Sequence, residues 1–352
     1  MQIKKIFQIA AVFIGTIVGA GLASGQEITQ FFTSYGWVGF IGILVTGIMY
    51  IPVGSAIIKV TNKYNLNSYN ELITLVCPGS LGKVTDILMS FFLLSGAAII
   101  LAGGGALLHQ YFGISKWVGI IIMSLTALLA LLNDTDGLIF INSIIVPSLI
   151  TVIIITFIFF CMKFGDNISI HNIINSNTYR AEIIPNQWIF STFLYAGFNL
   201  LCCSGVLVPL SKETKNKNTI IPGIIIGAIG LTLVAFLINI MLILNIPEIY
   251  KYEIPLMFIS TKLSKLLQIF ILLIIWFEMF STEVSDIYSI SKTLVNRFNI
   301  SYKSSVFIIL LLAIPISQIG FTTLIKFLYP GFGVISLIFI YCLFRFNHKN
   351  KI

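Results

Sequence analysis

The sequence predicts an all-α polytopic membrane protein: ten transmembrane helices in two five-helix halves of inverted topology, with the first and sixth helices discontinuous. Three observations carry that expectation. Only 10% of the 352 residues are charged while 57% are hydrophobic, and the mean hydropathy is +1.00. A soluble domain carries roughly 25% charged residues, so this chain lacks the polar side chains to cover a surface in water, and most of its exterior must face lipid. The apolar residues fall in long uninterrupted runs, and the two halves of the chain repeat one plan.

Runs free of Asp, Glu, Lys and Arg cover Ile6–Gln26, Ile28–Ile58, Ile87–Ser115, Trp117–Asn133, Gly137–Met162, Ile183–Ser211, Asn218–Pro247, Leu266–Phe277, Ser304–Ile325 and Phe327–Phe344. A spanning helix needs about 20 residues, and every run reaches the working range except Leu266–Phe277. That one suffices only by continuing to Ser291 and accepting Glu278, Glu283 and Asp286. The runs do not alternate as barrel strands do, and backbone groups in hydrocarbon must be bonded internally, so the spans are helices. They consume the chain and leave no room for a soluble domain.

The first half covers residues 1–162, an external connection 163–187, the second half 188–345 and a cytoplasmic tail 346–352. Each half opens with a helix carrying a mid-span cluster of glycine and polar residues, Gly19–Gly25 and Gly197–Gly205. In each, the second helix leads into a long connection, Val60–Gly82 and Asn245–Lys265. Five helices per half put those connections on opposite faces of the membrane, as an inverted repeat requires. Each connection holds a candidate short helix: Ser68-Tyr69-Asn70-Glu71 has capping-box spacing ahead of Leu72–Val76, and Ile254–Leu267 is roughly amphipathic.

Placing the N-terminus inside leaves only Lys116, Lys163, Arg180, Lys251, Lys262, Lys265 and Lys326 outside, with the other fourteen of the 21 Lys and Arg inside. The positive-inside rule then sets both termini in the cytoplasm of a bacterial cell whose plasma membrane the chain spans. Lys4-Lys5 and Ile6–Val18 imitate a signal peptide, but cleavage near Ala23 would leave an odd number of spans that the downstream charges contradict. The cations sit singly between spans and form no face or tail, which excludes a nucleic-acid partner. The five cysteines and three histidines make no metal-ligand spacing, and with no HExxH and no paired-aspartate motif the chain does not read as an enzyme; no cofactor is expected beyond a coupling ion.

Gly15-Thr16-Ile17-Val18-Gly19-Ala20-Gly21-Leu22-Ala23-Ser24-Gly25-Gln26-Glu27 is the most informative segment. Each glycine weakens a helix by about 1 kcal/mol relative to alanine, and Ser24-x-x-Glu27 is a capping box that would restart one. A break here aims free N–H groups of the restarted half at an anion, and carbonyls of the first half, near Gly15–Gly19, at a cation. In the sixth span Gly197, Phe198 and Asn199 occupy the equivalent position, Asn199 being a favoured N-cap. In the eighth span Glu278, Ser281, Thr282, Ser285 and Ser289 share one stripe at 100° per residue, while Glu283 points elsewhere and Asp286 reads as interfacial, near Lys292. Hydroxyls with carbonyls suit Na⁺, and a secluded carboxyl suits a proton. Ala98, Ala102 and Ala106 with Gly103–Gly105 form a close-packing face in the third span.

The helix 1 motif, the ten-span plan and the length resemble the YkvI-like bacterial membrane proteins of the amino acid–polyamine–organocation superfamily. The resemblance implies the LeuT-type fold, with substrate between helices 1, 3, 6 and 8. It places Gly19, Ala20, Gly21, Ala23 and Ser24 on a substrate carboxylate and Ala196–Asn199 on its opposite side. A sodium site would join Gly15–Val18 to Ser281, Thr282 or Ser285, and the acidic Glu278 and Glu283 leave proton coupling open. The expected function is cation-coupled secondary transport of amino acids, amines or related small zwitterions by alternating access. The alternative is a ligand-sensing receptor of the same fold.

Overall fold

Each of the ten apolar runs becomes helical over most of its length. The computed structural model describes residues 2–66, 68–77, 79–132, 137–175, 187–214 and 217–350. Its helices are α1 (Gln2–Ser24), α2 (Gln26–Phe31), α3 (Val38–Tyr64), α4 (Tyr69–Val76), α5 (Ser80–Phe112), α6 (Lys116–Leu132), α7 (Gly137–Phe164), α8 (Ile170–Asn175), α9 (Gln187–Thr214), α10 (Lys217–Ile243), α11 (Pro255–Thr261), α12 (Lys265–Phe298), α13 (Tyr302–Ser317) and α14 (Phe321–Lys349). There is no strand among the described residues. Within α1, α3, α5, α7, α9, α10, α12 and α14 lie segments long and apolar enough to cross a membrane, and α6 and α13 are shorter apolar helices. Large apolar side chains such as Ile48, Leu129 and Leu311 stay exposed on the outside of the bundle, as a lipid-facing surface requires.

The packing is reciprocal. α1 lies along α10 while α3 lies along α9, and α5 crosses α12 with α13 and α6 flanking the pair. If α9 is the counterpart of α1 and α10 that of α3, each contact has its mirror, which is what two equivalent five-helix halves produce. Missing side chains make the closest approaches. Gly223, Gly227 and Gly230 on α10 receive Ile9, Phe13 and Ile14 of α1. Small residues are the usual means of bringing helices together where lipid removes the hydrophobic drive.

The small-residue face of the third span does the same for α6. A Cβ on Gly119 would lie 2.8 Å from the Gly105 Cα and 2.9 Å from the Gly104 carbonyl oxygen, backbone against backbone, with Ala98, Ala102 and Ala106 buried nearby on α5. Replacing Gly119 with Leu should therefore separate α5 from α6 and destabilise the protein by about 1–3 kcal/mol, the usual cost of overpacking. Thermal unfolding in detergent checks it.

Several expectations need correction. The sixth span is not discontinuous: α9 runs helical through Gly197 and Asn199. Its glycine serves a crossing, since Gly197 meets the Gly333 carbonyl of α14. The amphipathic segment Ile254–Leu267 is two helices, α11 ending at Thr261 and α12 starting after Ser264, whose hydroxyl caps the Leu267 N–H at 3.2 Å. Ser68 does cap α4, accepting from the Glu71 N–H at 3.3 Å. Helix α14 carries the predicted tail to Lys349. Of the cations used to orient the chain, Arg180, Lys215 and Lys351 lie outside the described residues, as do the side chains of Lys83, Lys212, Lys217, Lys292 and Arg297.

Candidate functional site

Helix 1 is interrupted twice, and both interruptions are glycines in backbone conformations that other residues rarely adopt. Gly19 has φ 42° and ψ −174°, and Gly25 has φ 80° and ψ −1°. The first ends the run from Gln2. The second turns the chain into α2. Between them Ala20–Ser24 form a short restarted segment.

The predicted capping box does not form across it. The Ser24 hydroxyl donates to the Gly21 carbonyl at 2.9 Å and accepts from the Gln26 N–H at 3.2 Å, one residue short of the expected partner. With Gly25 left-handed, Glu27 is swung inward. Its carboxyl lies against Gly21, filling the place a Cβ there would take.

These breaks open onto a cavity of about 220 Å³ walled by α1, α5, α9, α12 and α14, with Tyr69 of α4 and Glu27 of α2. On α12 the wall runs from Ser281 to Ser289 and on α9 from Phe198 to Val206, so the cavity reaches toward the end of the bundle holding the start of α1. The other end is closed by rings. Phe31 packs on Tyr195 and Phe198, with centroids 5.2 and 5.8 Å apart, and Phe198 packs on Tyr329 at 4.6 Å.

The structure brings Gly15, Gly19, Ala20, Phe198, Asn199, Ser281, Thr282 and Ser285 to this cavity. It does not bring the other predicted residues. Val18, Ala23 and Ser24 are buried in packing, Gly21 is covered by Glu27, and Gly197 faces α14. Glu278 and Glu283 are buried away from the cavity. Asp286, expected at the interface, instead lines the cavity beside α5, where a Cβ on Gly96 would meet its Oδ2 at 2.5 Å.

Glu27 is the site residue that sequence reasoning missed. It was assigned to a cap, although it stands alone between two apolar runs covering residues 6–58, which was signal enough. Tyr69, Phe92 and Tyr329 also line the cavity, and nothing in their local sequence marks them.

The electrostatics are one-sided. Four carboxyl groups, Glu27, Glu278, Glu283 and Asp286, sit inside the bundle, and among the described residues no Lys, Arg or His lines the cavity. Among the described residues the salt bridges join Lys116 to Glu253 and Lys251 to Glu248, both outside it. Glu27 Oε2, Glu278 Oε1 and both Glu283 oxygens are buried without a hydrogen-bond partner. Buried charge is costly without a partner, so an acidic cavity of this kind suits a cation.

Over 336 residues the chain is 31% identical to the uncharacterized membrane protein YkvI of Bacillus subtilis (strain 168), covering 95% of this chain and 93% of that one. The chain belongs to the YkvI family. A second relative, YyaD of the same organism, is 26% identical over 343 residues, 96% of each chain. No family model matches. Among solved structures, this YkvI-family chain is similar to a manganese transporter of Eremococcus coleocola (TM-score 0.66, 12% identity, 97% of this chain and 78% of that one). It is also similar to MhsT in complex with L-phenylalanine (0.64, 14%, 95% and 88%) and to a Na⁺-coupled sialic acid symporter (0.63, 16%, 96% and 78%). At such identities the likeness establishes the fold, which is LeuT-type. The proteins sharing it are transporters, not enzymes.

Proposed function

We propose that this YkvI-family protein is a cation-coupled secondary transporter, moving amino acids or related small amine-bearing and zwitterionic solutes across the bacterial plasma membrane by alternating access. The observation that carries the reading is a cavity at a broken helix, sealed at one end by stacked aromatic rings and extended toward the other. With both termini cytoplasmic, as the charge distribution favours, the sealed end is external and the structure is an inward-facing state. Alternating access then requires the Phe31, Phe198 and Tyr329 rings to part while the α12 side closes. The Gly19 and Gly25 breaks are the points at which the two ends of helix 1 are free to move separately.

Ser281, Thr282 and Ser285 supply a fitting set for a coupling cation such as Na⁺. The Thr282 hydroxyl donates to the Glu278 carbonyl at 2.9 Å and that of Ser285 to the Ser281 carbonyl at 2.9 Å, which leaves their lone pairs for the cavity. Thr282→Ala should weaken the sodium dependence of uptake at least several-fold; unchanged sodium stimulation rejects the placement. If a proton is coupled instead, Glu278→Gln should flatten the pH profile of uptake, and an unaltered profile assigns Glu278 to structure.

The direct test is counterflow. Protein in liposomes loaded with unlabelled solute should accumulate labelled solute transiently from outside, whereas binding without flux leaves a receptor.

A further inference from the structure

Resting on the transporter reading, we infer that Glu27 takes the place at the restarted helix where a substrate carboxylate would bind, so that the cargo is a small organic cation, an amine whose own carboxylate is dispensable. The restarted segment after Gly19 presents helix N–H groups, an environment that attracts an anion. A carboxyl group is already part of the chain there: the Glu27 side chain rests on Gly21, and no residue larger than glycine leaves it room. Glu27 is 3% exposed, faces the cavity, and keeps Oε2 without a partner. The Tyr195 and Tyr329 hydroxyls lie beside it, yet the buried Tyr195 hydroxyl also completes no hydrogen bond.

The rest of the wall favours the same ligand. A solute carboxylate needs donors, and four hydroxyls of the wall are already committed. Thr16, Thr282, Ser285 and Ser289 all give their protons to carbonyls of their own helices, at 2.8 to 2.9 Å. Asn199 gives an Nδ2 proton to the Tyr50 hydroxyl at 3.2 Å. What Thr16, Thr282 and Ser285 keep are hydroxyl lone pairs. Asp286 adds a second carboxyl, no cationic side chain among the described residues lines the cavity, and the Phe92, Phe198 and Tyr329 rings line it as well, aromatic rings being attractive to an ammonium group. An ammonium bound to Glu27 Oε2 satisfies the buried oxygen that the protein leaves open, while a zwitterion would bring a third carboxylate into a cavity that holds two.

Pairs of amino acids and their decarboxylation products separate these cases: lysine and cadaverine, ornithine and putrescine, tyrosine and tyramine. Affinity is read from ligand-induced thermal stabilisation of the purified full-length protein. At least one amine should bind tenfold or more tightly than its parent amino acid. Glu27→Gln should remove that advantage, and Glu27→Ala, which vacates the place on Gly21, should shift preference toward the parent. An effect of Glu27 on folding alone would weaken both members of a pair equally. Parents binding as well as amines, a ratio indifferent to both substitutions, or no binding by any of the compounds would each overturn the inference. Counterflow of the same compounds reads the transporter proposal separately: an amine that binds but does not exchange retires transport and leaves the cation site standing.

Discussion

Gly21→Ala is expected to lower ligand affinity at least tenfold while leaving the protein folded. The added methyl group would occupy the volume now held by the Glu27 Oε1, Cδ and Cγ atoms. Those atoms are the end of a flexible side chain, so the conflict resolves by the carboxyl swinging off Gly21, with no helix displaced. Thermal stability without ligand should change little, and ligand-induced stabilisation should fall. If Gly21 acts only through the carboxyl, adding Glu27→Ala should cost little more than either change alone, because residues that serve one interaction do not contribute additively. Fully additive losses would mean that Gly21 touches the ligand itself.

Gly333→Val makes the opposite prediction from similar crowding. A Cβ on Gly333 would lie 2.8 Å from the Leu194 carbonyl oxygen and 2.9 Å from the Leu194 Cα, so α14 meets α9 backbone to backbone and neither can yield by a rotamer change. The expected result is a loss of about 1–3 kcal/mol or more in stability, seen as a lower midpoint in thermal unfolding. Function should fall with it. This crossing sets the distance between Phe198 on α9 and Tyr329 on α14, whose rings form one edge of the lid. Unchanged stability would mean that the two helices slide past each other freely here.

The membrane class and the helical spans were legible because lipid imposes simple rules on composition and run length, and the Gly19 break because several glycines and polar residues within one span have few other uses. The unbroken α9 was not legible. A glycine two residues before an asparagine in a span reads equally well as an interruption or as a crossing, and Gly333, which decides for the crossing, lies more than a hundred residues away. Glu27 was misassigned for a related reason. Ser24-x-x-Glu27 has capping-box spacing, but a left-handed Gly25 between the two residues changes the direction of the chain, and spacing does not encode that turn. Asp286 looked interfacial by its distance from the end of the run, whereas α12 continues to Phe298 and keeps it within the bundle. Counting along one helix placed Ser281, Thr282 and Ser285 together, but it misplaced Asp286 and Glu278, whose surroundings are set by contacts between helices.

The central claim is that a solute binds at the helix 1 break beside Glu27 and is carried through. Counterflow of labelled amine into liposomes preloaded with the unlabelled compound, comparing the unaltered protein with Glu27→Gln, tests it most directly. The expected result is transient accumulation of label by the unaltered protein and at least a tenfold lower initial rate for the variant. Accumulation at equal rates by both proteins would contradict it.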